Sequence, residues 1–370
     1  MSFTEIYNRH DWDEIKTQIY NKEACHVEAA LRKSGTRSPD DLMALLSPAA
    51  GPYLEEMANV SHELTQKRFG KTLQMYIPLY LSNKCSNNCL YCGFRNENRI
   101  RRITLTENQI LEEVKVIKSY GFDHILLVTG EAKKSAGIDY LENVFRVIRP
   151  FFSHISMEVQ PMNQDEYSRL TKLGLNTVLV YQETYGKRYP EFHPKGMKSD
   201  FYYRLETPDR LGAAQVHKIG LGCLLGLDDW RTDSWFVGLH INYLKKKYWK
   251  TRYSVSFPRL RPAKGIIEPR VIVSDRDLVQ LICAYRIYDE NLELSLSTRE
   301  SEKFRNNAIR LGITSISAGS KTEPGGYSAR TDELEQFAIN DSRTPGEIAE
   351  MISKMGYEPV WKDWDIHYGI

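Results

Sequence analysis

The chain has 370 residues, of which 41% are hydrophobic, 11% aromatic and 26% charged. This length suffices for one large domain or two ordinary ones with a sizeable core, and the ordinary apolar content excludes an intrinsically disordered chain. Fifty Lys and Arg residues against 48 Asp and Glu give a net charge of +2. A balance so close to neutral gives no reason to expect nucleic acid or an anionic membrane as a partner.

No stretch approaches the roughly 18 consecutive apolar residues that a membrane-spanning helix needs. The first residues lack the apolar segment of a signal peptide, so we expect a cytoplasmic protein. In a reducing compartment the six cysteines are not expected to form a disulfide framework. Cys25, Cys223 and Cys283 stand alone in the sequence, and we expect them in the core.

Residues 1–70 predict a helical extension. The segment Ser38-Pro39-Asp40-Asp41 combines a hydroxyl N-cap, a proline at the first helical position and acids in the first turn. From residue 51 to residue 69 the apolar positions recur at helical spacing. These helices carry apolar stripes that must be buried, so we expect the extension to pack on the rest of the chain.

From residue 71 onward, short β-rich runs alternate with helical patterns. One of these helices is predicted to begin at a capping box formed by Thr106 and Gln109. The predicted strands cover residues 73–81, 124–129, 154–160, 177–182, 219–225, 253–257, 292–297 and 313–317. Eight strands with helical crossovers in about 250 residues predict a (β/α)₈ barrel over residues 71–320, and a doubly wound sheet is the alternative. Residues 321–370 are expected to form a short C-terminal extension, with the aromatic residues 361–364 packing over one end of the barrel.

Three of the cysteines fall within eight residues, directly after the first predicted strand: Cys85-Ser-Asn-Asn-Cys89-Leu-Tyr-Cys92. Thiolates bind soft metals and iron–sulfur clusters. Three of them, without a fourth cysteine or histidine at ligand spacing, do not complete a closed zinc site. The spacing therefore favours a 4Fe–4S cluster with three thiolate ligands and one open iron, while incidental or zinc-binding cysteines are the alternative.

The Cys-x₃-Cys-x₂-Cys spacing, with an aromatic residue before the last cysteine, resembles the motif of the radical S-adenosylmethionine (SAM) enzymes. In that superfamily the open iron chelates the amino and carboxylate groups of SAM, and an electron from the cluster cleaves SAM to methionine and a 5′-deoxyadenosyl radical. The resemblance implies SAM contacts from the aromatic residue and from the ends of the next strands and helix, namely Tyr91, Thr129, Gly130, Glu131, Glu158, Glu183 and Arg204. Ordinary ion pairs are the alternative for the charged members of this set.

Longer stretches narrow the resemblance to the aromatic-amino-acid lyase branch, and within it to the tyrosine lyases. They include residues 77–83 (Ile-Pro-Leu-Tyr-Leu-Ser-Asn) and 256–262 (Ser-Phe-Pro-Arg-Leu-Arg-Pro), and the likeness runs from about residue 11 to residue 365. It implies radical cleavage of the Cα–Cβ bond of L-tyrosine to p-cresol and 2-iminoacetate (dehydroglycine), which supplies the thiazole of thiamin. It also implies two protein partners, a thiazole synthase that accepts 2-iminoacetate and a one-electron donor of the flavodoxin type.

A tyrosine site needs a cation for the substrate carboxylate, and a guanidinium binds a carboxylate through two parallel hydrogen bonds. Arg299, at the end of the seventh predicted strand, suits this role, and an ion pair with Glu300 is the alternative. Ser297 points to the same side of that strand. Tyr80 is similar to a substrate-contacting tyrosine of the branch.

Three alternatives to tyrosine cleavage to 2-iminoacetate share features of this sequence. A tryptophan lyase of the same branch and a non-catalytic iron–sulfur carrier both stay open as alternatives. The branch member that makes carbon monoxide and cyanide from tyrosine needs a second cluster on a C-terminal cysteine set. This chain has no cysteine after Cys283, which excludes that function.

Overall fold

The computed structural model describes residues 1–263, 265–328 and 335–362. Its strands are β1 (Thr72–Ser82), β2 (His124–Thr129), β3 (His154–Glu158), β4 (Leu175–Leu179), β5 (Lys218–Gly222), β6 (Arg252–Ser256), β7 (Glu293–Leu296), β8 (Ser315–Ser317) and β9 (Glu358–Val360). Its helices are α1 (Phe3–Tyr7), α2 (Trp12–Tyr20), α3 (Ala24–Arg32), α4 (Pro39–Leu46), α5 (Leu54–Phe69), α6 (Glu107–Ser119), α7 (Lys133–Ala136), α8 (Ile138–Ile148), α9 (Gln164–Lys172), α10 (Tyr189–Phe192), α11 (Phe201–Leu205), α12 (Thr207–Ala213), α13 (Trp230–Lys247), α14 (Asp275–Tyr288), α15 (Glu302–Ala308) and α16 (Pro345–Lys354).

Strands β1 to β8 form a closed parallel barrel. Each strand pairs with the next, and β1 pairs with both β2 and β8. The predicted (β/α)₈ barrel is confirmed, and the doubly wound alternative is wrong because the sheet closes on itself. The predicted strands 154–160 and 177–182 end earlier, at Glu158 and Leu179, because the residues that follow leave the regular ladder to line a cavity. All eight strands end at this face of the barrel.

Helix starts follow their predicted caps. The Ser38 hydroxyl accepts the Asp41 N–H at the start of α4, and Thr106 and Gln109 form the capping box of α6. Helix α5 begins at Leu54 rather than at residue 51. The residues before it form a 3₁₀ turn that contains Pro52, which has no N–H to donate to a regular helix.

The barrel interior is polar near the N-terminal ends of the strands. His124 Nε2 lies 2.8 Å from Ser156 Oγ, and Lys218 donates to Glu293 over 2.7 Å. All four side chains are buried. Barrels of this type are usually filled by branched apolar side chains at this level. Paired polar groups therefore fill the lower interior and leave the opposite end for a ligand.

The N-terminal helices pack on the outer helices of the barrel, as their apolar stripes predict. Residues 42–46 of α4 are all buried. Trp235 of α13 donates to the Pro39 carbonyl over 2.9 Å, and Gln280 of α14 donates to the carbonyls of Leu45 and Ser47. Helix α5 lies along α14. The extension is thus held by side-chain hydrogen bonds to its backbone carbonyls as well as by apolar contact.

The three isolated cysteines are not all in the core. Cys223 and Cys283 are buried as expected, but Cys25 is exposed, so that part of the expectation is wrong. Helix α3 buries Val27, Ala30 and Leu31, and Cys25 lies on its opposite side.

The last described part of the C-terminal extension lies at the N-terminal end of the barrel, whereas its residues 322, 336 and 337 line the cavity at the opposite end. Strand β9 adds to the first residues of β1, with Glu358 opposite Thr72. The Trp361 ring packs edge-on against Phe122 with the ring centroids 5.0 Å apart. The sequence analysis did not predict β9, because this short strand depends on pairing with the exposed start of β1. Residues 329–334 and 363–370 of the predicted extension lie outside the described residues, and the domain boundaries at 70 and 320 stay predictions.

None of the helices in the described ranges has the length and apolar character that crossing a membrane requires.

A buried carboxyl joins α13 to the chain after β4. Asp233 Oδ1 accepts the Tyr185 N–H at 2.8 Å and the Thr184 hydroxyl at 3.1 Å. Burial, reinforced by the nearby carboxylates of Asp228 and Asp229, raises the pKa of Asp233 to about 8. The neutral form of this carboxyl therefore holds the chain after β4 over the acidic and neutral range.

Truncating Leu45 tests the docking of the extension. Leu45 is fully buried in α4, so Leu45→Ala should lower the free energy of unfolding by about 2–5 kcal/mol through the cavity it leaves. Glu55→Ala, at an exposed position of α5, is the control and should change it by less than about 0.5 kcal/mol. Equal effects in denaturant titrations would contradict the packing described.

Asp233 should make stability depend on pH. Its pKa is about 8 in the folded chain against an ordinary value of 3.8, so the folded chain binds more protons between these values. Stability then falls as the pH rises from about 4 to about 8, by at most ~1.4 kcal/mol per unit. Asp233→Asn keeps an acceptor oxygen without titrating.

We therefore expect Asp233→Asn to gain stability relative to the unsubstituted chain as thermal melts move from pH 6 to pH 8. Asp165→Asn, at an exposed acid of α9, is the control and should keep the original slope. A difference between Asp233→Asn and the original chain that stays constant with pH would contradict the assignment.

Candidate active site

The cysteine triplet lies in a long loop after β1, at the C-terminal face of the barrel. Cys89 is buried, Cys85 and Cys92 are half-buried, and all three line one cavity. The segment after β4 folds against this loop, since Asn88 N–H donates to Lys195 O and Leu90 N–H donates to Phe192 O, both over 3.1 Å. The loop is therefore fixed by a part of the chain about a hundred residues away.

The donor set fits an iron–sulfur cluster. The three thiols are close enough to interact electrostatically with one another, and burial raises the pKa of each, that of Cys85 to about 11. Across the described ranges, no three His, Cys, Asp or Glu side chains stand close enough to hold a single metal ion. A cluster differs from a single ion because it offers a separate iron to each thiolate. Metal binding would replace the thiol protons.

A glycine keeps space beside the triplet. A Cβ on Gly130, directly after β2, would lie 2.3 Å from Lys84 O and 3.1 Å from Cys85 Cβ. The Gly130 N–H donates to Ser82 O over 2.9 Å. The end of β2 thus approaches the cysteine loop so closely that only glycine fits.

Beside the thiols lies a buried group of charges, which we call the charge cluster: Glu131, Glu183, Lys198 and Arg204. Arg204 donates to Glu131 over 2.9 Å, and Arg204 Nη2 lies 3.8 Å from Glu183 Oε1. Lys198 forms an ion pair with Glu183. Burial opposes ionisation of Glu131, but Arg204 and Lys198 hold its pKa below the ordinary value. Glu131 is thus favoured in its ionised form, and both carboxyl groups of the charge cluster lie against buried cations.

The sequence analysis did not identify two residues near the thiols and the charges. Lys198 and His193 come from the segment after β4 that folds against the cysteine loop. A Cβ on Gly196 would lie 2.3 Å from Asn87 Oδ1, which shows how close this approach is. No local pattern marks Lys198 or His193, because their position depends on that long-range contact.

His193 orients the aromatic residue of the cysteine motif. Its Nδ1 lies 2.8 Å from Tyr189 O, so this nitrogen carries the proton and donates. Nε2 then accepts the Tyr91 hydroxyl at 2.7 Å. Tyr91 is fixed at the wall of the cavity by this chain of two hydrogen bonds.

Glu183 adopts a left-handed backbone conformation, with φ of 72°. Such a conformation is uncommon for a residue with a side chain and costs energy unless its surroundings impose it. Here the Glu183 carbonyl accepts the Leu224 N–H at 2.8 Å, and Asp233 holds the next two residues. These contacts direct the Glu183 carboxylate toward Lys198 and Arg204.

The opposite wall of the cavity carries Arg299. Its guanidinium carbon lies 3.4 Å from the centroid of the Phe337 ring. Glu300, the alternative partner from the sequence, instead pairs with Arg259 and Arg261. Among the described residues Arg299 forms no ion pair; its Nη1 donates to Arg259 O over 3.4 Å, and the side chain lines the cavity.

Glu158, at the end of β3, lies between the two walls. Burial raises its pKa to about 7, with Arg299 opposing the rise and Glu183 adding to it. Ser297 lines the cavity next to Arg299, and its hydroxyl accepts the backbone N–H of Arg299 at 3.4 Å. Tyr80, on β1, is buried at the same wall and donates to Gln336 over 2.7 Å.

The structure brings all the predicted site residues to this one cavity. They are Tyr80, Cys85, Cys89, Tyr91, Cys92, Thr129, Gly130, Glu131, Glu158, Glu183, Arg204, Ser297 and Arg299. Besides Lys198, the sequence analysis missed Gln336 and Phe337, which reach the cavity from the segment after β8. What the thirteen residues bind remains a prediction.

Two family profiles match the chain. The radical SAM superfamily profile covers residues 79–234, and that of the Biotin and Thiamin Synthesis associated domain covers residues 256–358. The first range includes the cysteine loop and the charge cluster. The second includes Arg299 and the segment after β8.

Relatives and solved structures agree with these profiles. The 2-iminoacetate synthase of Escherichia coli is 51% identical over all of this chain and 98% of its own length, and that of Salmonella typhimurium is also 51% identical. The FeFe-hydrogenase maturase HydG from Carboxydothermus hydrogenoformans superposes with a TM-score of 0.87 at 31% identity, over 96% of this chain and 86% of its own. Methylornithine synthase (PylB), at 17% identity and a TM-score of 0.70, shares the fold. The chain therefore belongs to the radical SAM superfamily and, within it, to the family of the 2-iminoacetate synthases.

Proposed function

We propose that this chain is a radical SAM lyase that cleaves the Cα–Cβ bond of L-tyrosine. The products are 2-iminoacetate and p-cresol from tyrosine, and 5′-deoxyadenosine and methionine from SAM. One observation carries the proposal: in a full-length relative of 2-iminoacetate synthases, the three thiols, the charge cluster and the Arg299 guanidinium line the same cavity. 2-Iminoacetate provides the C–N unit of the thiazole ring of thiamin.

Cys85, Cys89 and Cys92 would hold a 4Fe–4S cluster through three irons and leave the fourth iron to SAM. When bound, the cluster supplies the electron that cleaves SAM to methionine and a 5′-deoxyadenosyl radical. The protein's part is to hold the thiolates and to keep water from the reacting groups. The burial of Cys89 and the close approach at Gly130 support this role.

The charge cluster would bind the amino-acid end of SAM. The Glu131 carboxylate and the backbone at Thr129 and Gly130 suit the SAM ammonium, and Arg204 suits its carboxylate. Lys198 adds a second cation beside Glu183. A site with both signs already in place binds a zwitterion without rearranging, which lowers the cost of binding.

The remaining SAM contacts would come from two neighbouring walls. Tyr91 presents its ring, which His193 fixes. Glu158 and Glu183 present carboxylates suited to hydroxyl or amino groups of SAM. Glu158 interacts with both Arg299 and Glu183, so it lies where SAM and tyrosine would meet.

L-Tyrosine would bind at the Arg299 wall. Arg299 offers a guanidinium to the substrate carboxylate, Ser297 adds a hydroxyl, and Tyr80 lines the same wall. Phe337 stacks on the guanidinium and limits its rotation. The geometry favours a carboxylate that approaches in the plane of the guanidinium, as a bidentate pair requires.

Two protein partners follow from the chemistry. A one-electron donor of the flavodoxin type would reduce the cluster. 2-Iminoacetate hydrolyses readily in water, so a docked thiazole synthase would accept it before it is lost.

The function is tested by an anaerobic assay of the reconstituted protein with SAM, a reductant and L-tyrosine. We expect p-cresol and 5′-deoxyadenosine in equal amounts by chromatography, and neither product from Cys89→Ala. The matched control Cys25→Ala, at the exposed cysteine of α3, should keep full activity. If the same assay gives cleavage products with L-tryptophan and none with L-tyrosine, the chain is a tryptophan lyase. A stable cluster without any product would assign an iron–sulfur carrier.

The substrate site is tested by Arg299→Lys, which keeps the charge but loses the planar fork and the stack on Phe337. Losing a hydrogen bond to a charged group should raise KM for L-tyrosine about 10- to 100-fold. SAM binding, measured by equilibrium dialysis, should stay unchanged. Arg261→Lys is the control, because Arg261 contacts Glu300 rather than the cavity. An unchanged KM in Arg299→Lys would show that the tyrosine carboxylate binds elsewhere.

A further inference from the structure

One glutamine from the segment after β8 joins two parts of the cavity. Gln336 Oε1 accepts the Tyr80 hydroxyl at 2.7 Å, and Gln336 Nε2 donates to Cys92 Sγ over 3.8 Å. Its backbone carbonyl accepts the Gly93 N–H at 3.0 Å, and its own N–H donates to Thr322 O over 3.0 Å. Gln336 is thus fixed through both its backbone and its side chain.

The glycine after the last cysteine makes this approach possible. A Cβ on Gly93 would lie 2.6 Å from Glu335 O and 2.8 Å from Gln336 O, closer than a side chain tolerates. The two backbones therefore meet directly, and the Gln336 side chain reaches Cys92 from that contact. The contact between the two backbones does not depend on the side-chain hydrogen bonds of Gln336.

The surroundings set which end of the Gln336 amide faces the thiol. With Oε1 at the Tyr80 hydroxyl, the phenol donates and the amide NH₂ points to Cys92. The reverse orientation would place the amide oxygen against a sulfur that becomes a thiolate when it binds metal. Gln336 Oε1 and Cys92 Sγ both receive a hydrogen bond only in the orientation described.

We propose that Gln336 is a positioning residue for the iron–sulfur cluster, donating a hydrogen bond to the thiolate of Cys92 with Tyr80 fixing its amide. This rests on the proposed ligation by the cysteine triplet. Hydrogen bonds to cluster sulfurs are among the factors that set the reduction potential. The reduced cluster carries one more negative charge, so the donor stabilises it more than the oxidised form and raises the midpoint potential.

The test is a potentiometric titration of the reconstituted full-length protein, followed by the electron paramagnetic resonance signal of the reduced cluster. Gln336→Met keeps the length of the side chain but has no N–H. We expect its one-electron reduction constant to fall about tenfold, a shift of ~59 mV to lower potential. Gln18→Met, at an exposed position of α2, is the matched control and should leave the potential unchanged. A merely structural role of Gln336 would not move the potential at full cluster content, so an unchanged potential overturns the proposal.

A second measurement needs no substitution and decides the case in which Gln336→Met fails to assemble a cluster. The unsubstituted protein is prepared with ¹⁵N in its glutamine side chains, and the reduced cluster is examined for a nitrogen coupling. Within the described part of the chain, Gln336 is the glutamine that lines this cavity. A ¹⁵N coupling supports the hydrogen bond to Cys92, and its absence overturns it. An unsubstituted protein without a 4Fe–4S cluster, by iron and sulfide analysis, would instead overturn the proposed function.

Discussion

The arrangement of the cavity depends on holding three thiols of one loop at fixed positions in a buried place. A loop of this length without regular structure is mobile unless its backbone groups find partners. Arg102 supplies several at once, because its guanidinium donates to four backbone carbonyls within the loop, those of Asn83, Phe94, Arg95 and Asn98. The Lys195 carbonyl accepts the Asn88 N–H between the first two cysteines, and the Gln336 carbonyl accepts the Gly93 N–H after the last one. The barrel thus provides one edge of the thiol site, and distant segments provide the others.

The same long-range contacts also bring charged side chains together in a buried position, where they pair with one another. An isolated buried charge is costly, whereas a paired and hydrogen-bonded one is tolerated. Arg204 illustrates the point, since it donates to both Glu131 and the Tyr181 carbonyl. Lys198 and Glu183 form a second pair beside it. The two cations and the two acidic side chains of the charge cluster therefore compensate one another in this buried position.

The sequence predicts the barrel and the residues at its strand ends, and the reason is local. Strand periodicity and helix caps are written in neighbouring residues, so Glu131, Glu158 and Arg299 fall at one face once the strands are counted in order. Lys198 and Gln336 could not be placed this way. Each reaches the cavity only because its segment folds back on the cysteine loop, and the glycines that permit this, Gly196 and Gly93, look like ordinary loop glycines in the sequence.

The segment after β8 forms part of the cavity wall. Its neighbouring residues Gln336 and Phe337 point to different parts of the cavity, the first to Cys92 and the second to the face of Arg299. Glu113 of α6 anchors the same segment by accepting two of its backbone N–H groups. A displacement of this segment would therefore disturb the thiol site and the Arg299 wall together. The proposed cluster ligand Cys92 and the proposed substrate-binding Arg299 thus depend on one structural element, which the strands of the barrel alone do not provide.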